Sequence, residues 1–252
     1  MTETPMTATP VTGAQAAGPP PADPPPVKTL LAWSSGKDSA YALWALRADP
    51  TVDVVGLCTT LNSSAERVNM HGVRLSVLGA QAEACALPLR TVLLPDPCSD
   101  EEYRTIMGEV VRCAREGGVE AMAFGDLFLP DVRAYRERQL AGSGLTPVVP
   151  LWGRPTAELA LEMIESGMEA VVTCVDTEQL DRSFVGRRFD RELLADQPPG
   201  VDPCAENGEF HSLAVAGPMF SHGLDVKVGE VVERGRFVFA DVALRGDGPD
   251  AT

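Results

Sequence analysis

The segment Leu30-Leu31-Ala32-Trp33-Ser34-Ser35-Gly36-Lys37-Asp38-Ser39 passes from an apolar run into small hydroxyl residues and Gly. It then continues directly into the helix-like Ala40-Tyr41-Ala42-Leu43-Trp44-Ala45-Leu46. A strand, a tight turn and a helix in that order place a helix N-terminus at the carboxyl end of a strand. The first N–H groups of such a helix have no intrahelical partner, and they and the helix dipole favour a phosphate or pyrophosphate. Lys37 adds a mobile cation, Ser34 and Ser39 add hydroxyl donors, and Gly36 lets the backbone approach an anion without a Cβ in the way. The segment reads as a nucleotide phosphate cradle, against the plainer reading of a strand-to-helix turn capped by serines.

The loop is not a Walker A sequence, because Leu31 stands five positions before Gly36 and Asp38 follows Lys37 where Ser or Thr is required. It also lacks the GxGxxG spacing of a dinucleotide fingerprint.

The rest of the chain supplies the setting. Val27 to Trp33 predicts a strand, Asp38 to Arg47 a helix, Val52 to Thr59 a strand, Gly72 to Ala86 a helix and Leu89 to Leu94 a strand. Ser99 to Glu116 predicts a helix opened by Ser99-Asp100-Glu101-Glu102 and closed by Gly117-Gly118; Glu120 to Phe124 is a short buried strand ending at Gly125-Asp126, and Asp131 to Leu140 a helix. This alternation implies an α/β fold: a parallel sheet with helices on both faces and a ligand at the carboxyl ends of its strands. From Thr146 the character changes. Thr146 to Leu151 is extended, Thr156 to Ser166 helical and Ala170 to Val175 a strand, and Phe210 to Ala216, Leu224 to Val232 and Arg236 to Leu244 are strands separated by Gly-containing turns. Residues 27–145 are therefore read as a nucleotide domain and 146–245 as a smaller mixed α+β domain closing over it.

The first 26 residues hold eight of the 21 prolines and almost no large apolar residues, so they read as a disordered tail; residues 246–252 read as a loose end. No run approaches the ~18 apolar residues of a membrane span, and the start lacks the pattern of a secretory signal. With 21 basic against 36 acidic residues, the net charge of −15 opposes unassisted docking on nucleic acid or anionic lipid. Six scattered cysteines with no CxxC pair, and three separated histidines, predict neither a zinc site nor a disulfide framework, which fits a reducing cytoplasm.

A second polar constellation lies late in the chain, in Asp202-Pro203-Cys204-Ala205-Glu206-Asn207-Gly208-Glu209-Phe210-His211-Ser212. Two carboxylates, an amide and an imidazole around a Gly turn can bind an ammonium, hold Mg²⁺ or move a proton. A solvated acidic hairpin whose Asn-Gly is only a turn signal has the same composition.

The loop at 34–39 resembles the SGGxDS pyrophosphate loop of ATP pyrophosphatases of the adenine nucleotide alpha hydrolase type, with Ser35 standing where that pattern has its first Gly. Together with Glu66-Arg67-Val68-Asn69-Met70-His71-Gly72, Phe124-Gly125-Asp126, Pro150-Leu151-Trp152-Gly153 and Glu206-Asn207-Gly208-Glu209-Phe210-His211, it is similar to the diphthine-ammonia ligase family (diphthamide synthase domain). The likeness runs from Lys28 to Leu244. Ala205 is a second departure, at a position where the family commonly has Gly.

The resemblance implies an N-terminal domain of the adenine nucleotide alpha hydrolase, Rossmann-like fold and a C-terminal domain that shapes an acceptor site. It implies a ligase that adenylates a carboxylate with ATP, releases pyrophosphate and passes the acyl group to ammonia. The family's acceptor is diphthine on elongation factor 2; another carboxylate stays open for this chain. On that basis Ser34, Ser35, Gly36, Lys37, Asp38 and Ser39 hold the departing pyrophosphate, and Lys37 balances charge in the transition state. Asp38 is the candidate Mg²⁺ contact or a helix N-cap, and His71 contacts phosphate or the activated carboxylate. Gly125-Asp126 approaches ribose or metal, while Glu206, Glu209 and His211 orient ammonia or deprotonate ammonium. A tRNA-modifying ATP pyrophosphatase and a non-catalytic adenine nucleotide sensor share the loop and remain alternatives. A homo-oligomer is admitted without any residue marking its interface. The runs Arg133 to Arg138 and Gly186 to Asp190 read as a solvated helix face and as either an anion contact or a structural ion pair.

Overall fold

The computed structural model describes residues 24–62, 67–68 and 72–246. The expectations for residues 1–23 and 247–252 and for His71 lie outside the described residues.

Five strands form a parallel sheet: β1 (Val27–Ala32), β2 (Val52–Asn62), β4 (Leu89–Leu94), β5 (Ala121–Ala123) and β6 (Thr146–Val148). Their order across the sheet is β4-β2-β1-β5-β6. A two-residue strand, β3 (Arg67–Val68), pairs antiparallel with the end of β2 beyond the reach of β1. Thr146 to Val148, read as part of the second domain, instead pairs in parallel with β5 and forms an edge of this first sheet.

Both faces are covered. α1 (Lys37–Ala48) and α2 (Leu75–Ala84) share one core with Leu31, Leu57 and Ala123, while α3 (Asp100–Glu116) and α4 (Pro130–Leu140) share the other with Leu30, Val92 and Met122. Leu30 and Leu31 point to opposite cores because successive strand side chains alternate, so the apolar run of β1 reads as continuous rather than alternating. α3 opens with the expected capping box: Ser99 Oγ accepts from Glu102 N at 3.3 Å, and Ser99 N donates to Glu102 Oε2 at 2.9 Å.

The second sheet is antiparallel and contains β7 (Glu169–Asp176), β8 (Phe210–Ala216), β9 (Val226–Arg234) and β10 (Phe237–Leu244) in the order β8-β7-β10-β9. Its buried face, α1 and α5 (Thr156–Glu165) belong to a single apolar cluster. α1 is therefore covered by the parallel sheet on one side and by this sheet on the other. That explains why Ala40, Tyr41, Ala42, Leu43 and Leu46 are all buried and why the helix lacks a clean polar stripe. A short 3-10 turn (Arg182–Phe184) and α6 (Arg191–Asp196) had no counterpart in the sequence reading; α6 is capped by Asp190, whose Oδ1 accepts from Leu193 N at 2.8 Å.

The chain leaves β1 through α1 toward β2, and returns through α3 to β5 on the other side of β1. The carboxyl ends of β1 and β5 thus flank the point where strand order reverses, where open α/β sheets form their ligand crevice. Among the described residues, no helix is long and apolar enough to cross a membrane.

Candidate active site

A cleft of about 380 Å³ opens at that reversal point. Its polar end is lined by Ser34, Lys37, Asp38, Ser39, Asp126, Glu206 and His211, and its other end by Ala32, Cys58, Tyr103, Met107, Met122 and Phe124. The structure therefore brings the early loop and the late acidic turn to one place, although some 170 residues separate them in the chain.

The loop is built around a left-handed residue. Ser35 has φ +71°, so the strain implied by a non-Gly residue at this bend is real, worth about 1 kcal/mol. The bend turns the Ser35 carbonyl inward, where it accepts from Ala214 N and from Gln81 Nε2, both at 3.0 Å. Gln81 is fully buried, also donates to Ala214 O at 2.7 Å, and accepts from Trp33 Nε1 at 2.9 Å. One amide side chain thus ties β1, the loop and β8 together. The Ser35 hydroxyl is buried and has no hydrogen-bond partner among the described residues.

Gly36 is the N-cap of α1, which removes that role from Asp38. The Ser34 and Ser39 hydroxyls lie 3.2 Å apart, and Ser34 Oγ accepts from Gly36 N at 3.3 Å. Lys37 N donates to Ser212 Oγ at 3.2 Å. Two of the amides expected to be open to an anion are therefore closed by long bonds to rotatable hydroxyls. Gly125 explains its own identity: a Cβ there would stand 2.9 Å from both the Asp38 carbonyl carbon and Ser39 N. Only Gly allows the loop after β5 to rest on the first turn of α1.

Lys37 is not the mobile cation expected from the sequence. It is 2% exposed, and its Nζ donates to Asp38 Oδ1 and Oδ2 at 3.0 and 2.9 Å and to the Cys204 carbonyl. The Phe189 and Phe210 ring centroids lie 5.5 and 5.4 Å away. Burial favours the neutral amine, but Asp38, Cys204 and Glu206 more than offset it, and Lys37 is held above the ordinary lysine pKa.

The acidic turn separates its two carboxylates. Asp202 Oδ2 accepts from Cys204 N at 3.1 Å and Glu206 N at 2.9 Å, which folds the turn and leaves Ala205 at φ +57°, again left-handed where the resemblance has Gly. Glu209, expected to handle ammonia, instead sits behind the turn, 2% exposed. Its Oε1 accepts from Asp202 N at 2.9 Å and Asn207 Nδ2 at 3.0 Å, and it does not line the cleft. Glu206 does line it, and its Oε1 accepts from Leu127 N at 2.7 Å. Burial pushes the Glu206 carboxyl up to about 7, with Asp38 and Asp126 adding to the rise and the Leu127 N–H and Lys37 opposing it.

Asp126 is held by Arg136 Nε at 3.3 Å, and the Arg136 guanidinium lies 4.8 Å from the Phe124 ring centroid. Arg136 belongs to the run read as a solvated helix face, yet it lines the cleft. Arg187, by contrast, pairs with Asp196 at 2.8 Å, the structural ion-pair alternative for that run. Among the described residues, no group of three His, Cys, Asp or Glu side chains is placed to hold a metal ion.

A parallel sheet of this order, a helix N-terminus at its reversal point and a partly apolar cleft define a Rossmann-like α/β protein with a candidate small-molecule site. Residues 27–147 match the family described as diphthamide synthase N-terminal domain, and residues 155–242 match diphthamide synthase C-terminal domain. The chain belongs to the diphthamide synthase family. Curated relatives are named diphthine–ammonia ligase. Those of Bos taurus and Homo sapiens are each 28% identical over 239 residues, covering 83% of this chain and 86% of the relative, and that of Rattus norvegicus is 26% identical over 233 residues with the same coverage. By their names the relatives are ligases that join diphthine to ammonia.

Proposed function

We propose that this protein is an ATP-dependent, AMP- and pyrophosphate-forming amide ligase of the diphthine–ammonia ligase type, with ATP in the cleft at the end of β1. The observation that carries the reading is the convergence of the Ser34 to Ser39 loop and Glu206 on one cleft that also has an apolar end of suitable chemistry for a purine. Family membership and the relatives' names support it.

A carboxylate oxygen is a poor leaving group against ammonia. The acceptor carboxylate therefore first attacks the α-phosphorus, the bond to the β-phosphate oxygen breaks, and pyrophosphate departs. Ser34, Gly36, Lys37 and Ser39 form the pyrophosphate side of the site, with Ser35 shaping the bend behind them, and the helix dipole of α1 favours the departing anion. A χ1 rotation of the Ser34 and Ser212 side chains carries their Oγ atoms off the Gly36 and Lys37 amides and frees both for it. Asp126, fixed by Arg136, faces the ribose beside Gly125. Asp38, whose side chain is 27% exposed in the cleft, is the residue that would touch Mg²⁺ entering with the triphosphate, where the cation neutralises phosphate charge. Ammonium has no lone pair, so Glu206 takes a proton from it, with His211 alongside. The nitrogen then bonds to the acyl carbon, the acyl C–O bond breaks, and AMP leaves with the electron pair.

Residues 27–145 supply the nucleotide side in this reading and 146–245 the acceptor side, in a cytoplasmic setting. The test is incubation with α-labelled ATP, Mg²⁺, ammonium and diphthine-bearing elongation factor 2. AMP formation that depends on both acceptor and ammonium is expected. AMP release stimulated by tRNA instead favours the tRNA-modifying alternative, and nucleotide binding without AMP favours a sensor, the reading to which the hydroxyl-closed amides lend weight.

A further inference from the structure

The three donors of the Lys37 ammonium are met by three oxygens, the two of Asp38 and the Cys204 carbonyl, in a pocket that also presents two aromatic rings to it. Two phenyl faces, Phe189 from the segment before α6 and Phe210 from β8, stand 5.5 and 5.4 Å from Nζ; the Asp38 carboxylate holds it from one side, and the Cys204 carbonyl accepts from it as well. Aromatic faces, a carbonyl and a carboxylate are the groups that bind a small, desolvated monovalent cation. Glu206, the proton acceptor in the reading above, lies two residues beyond that carbonyl in the same turn and interacts electrostatically with the lysine.

We propose that this pocket is the seat of the substrate ammonium ion, and that Lys37 occupies it only while no triphosphate is bound. The inference rests on the ligase reading and deepens it. A bound triphosphate attracts the Lys37 ammonium toward its β and γ groups. When Nζ leaves, the two ring faces and the Cys204 carbonyl stay behind without a cation, while Asp38, part-exposed in the cleft, turns to the Mg²⁺ that accompanies the triphosphate. Free ammonium restores the balance that lysine provided, so nucleotide and ammonium bind in a linked order. The ion then gives one proton to the Glu206 carboxylate, and its nitrogen, now carrying a lone pair, bonds to the acyl carbon as the acyl C–O bond breaks and AMP departs. The remaining surplus proton leaves from the new nitrogen to solvent. Charge is conserved throughout, and no water-exposed amine is required.

Two experiments test the seat. In the first, Lys37→Ala empties it, and thermal unfolding is followed in ammonium chloride and in sodium chloride at equal ionic strength. Sodium is smaller and more strongly hydrated, so ammonium is expected to raise the variant's Tm above the sodium value by about 2–4 °C at saturating concentration, with no such difference in the wild type. Equal Tm values in the two salts overturn the proposal. In the second, which does not depend on the variant folding, wild-type crystals carrying a nonhydrolysable ATP analogue are soaked in rubidium chloride. An anomalous peak at the place Lys37 Nζ held, facing Phe189 and Phe210 beside the Cys204 carbonyl, is expected, with Lys37 turned toward the phosphates. Lys37 remaining against the rings and the Cys204 carbonyl beside a bound analogue, or an empty seat after it has turned away, overturns the proposal. An analogue that binds outside the cleft refutes the ligase reading instead, and the melting experiment then decides the seat by itself.

Discussion

Leu127 N donates to Glu206 Oε1 at 2.7 Å, so the carboxylate of the late acidic turn is anchored on the loop that follows β5 of the parallel sheet. This bond joins the two sheets across the mouth of the cleft and holds Glu206 where burial, Asp38 and Asp126 all disfavour its charge.

Glu206→Gln separates stability from activity. The folded carboxyl titrates near 7 against an ordinary 4.5, so the fold favours the protonated form. The contribution of this carboxyl to stability is fully present below about pH 4.5, falls as pH rises to about 7, and is level above that. The variant escapes the fall and is expected to be more stable than wild type at pH 8 by about 1–2 kcal/mol, discounted for the group's solvent contact, with little difference at pH 4. Urea unfolding at the two pH values checks this. Ammonium-dependent amide formation, which needs the carboxylate, rises in wild type through pH 7 and is lost in the variant.

Ser35→Gly relieves a left-handed backbone and removes a buried hydroxyl without a partner. Against the ~0.5–1 kcal/mol entropic cost of Gly, the gains of about 1 kcal/mol each leave a net stabilisation of about 1 kcal/mol. A fall in the urea midpoint contradicts the assignment of strain to this residue.

Gln81→Leu leaves Trp33 Nε1 and the Ala214 carbonyl without their buried partner. A loss of about 2–4 kcal/mol is expected, measured by urea unfolding, with weaker ATP binding by calorimetry because the Ser35 bend is loosened. Unchanged nucleotide affinity shows that the loop keeps its shape without this side chain.

Gly125→Ala sets a methyl 2.9 Å from the backbone of Asp38 and Ser39, which cannot yield as a side-chain tip does. A cost of about 1–3 kcal/mol and at least a tenfold loss of nucleotide affinity are expected. Calorimetry with an ATP analogue reads the second directly.

Local signals carried the parts of this molecule that depend on neighbours in sequence. The turn into the first helix and the Ser99 to Glu102 capping box are written in consecutive residues, and strand-helix alternation specifies a parallel sheet through chain connectivity. Gln81 was invisible because nothing marks one Gln in a helical run, and its three partners come from Trp33, Ser35 and Ala214. Glu206 and Glu209 look equivalent in one acidic turn; only the Asp202 bonds that fold the turn send one into the cleft and the other behind it. The apolar end of the cleft, with Tyr103, Met107 and Met122, carries no mark in the sequence, since a helix face that packs on a sheet and one that borders a cleft share the same periodicity.

The central claim, that the carboxylate is activated before nitrogen is involved, is tested most directly by exchange of labelled pyrophosphate into ATP with acceptor present and ammonium absent. The account predicts exchange by both wild type and Glu206→Gln, with amide formed by the wild type alone once ammonium is added. Exchange that is missing from the wild type, or that appears only with ammonium, contradicts it.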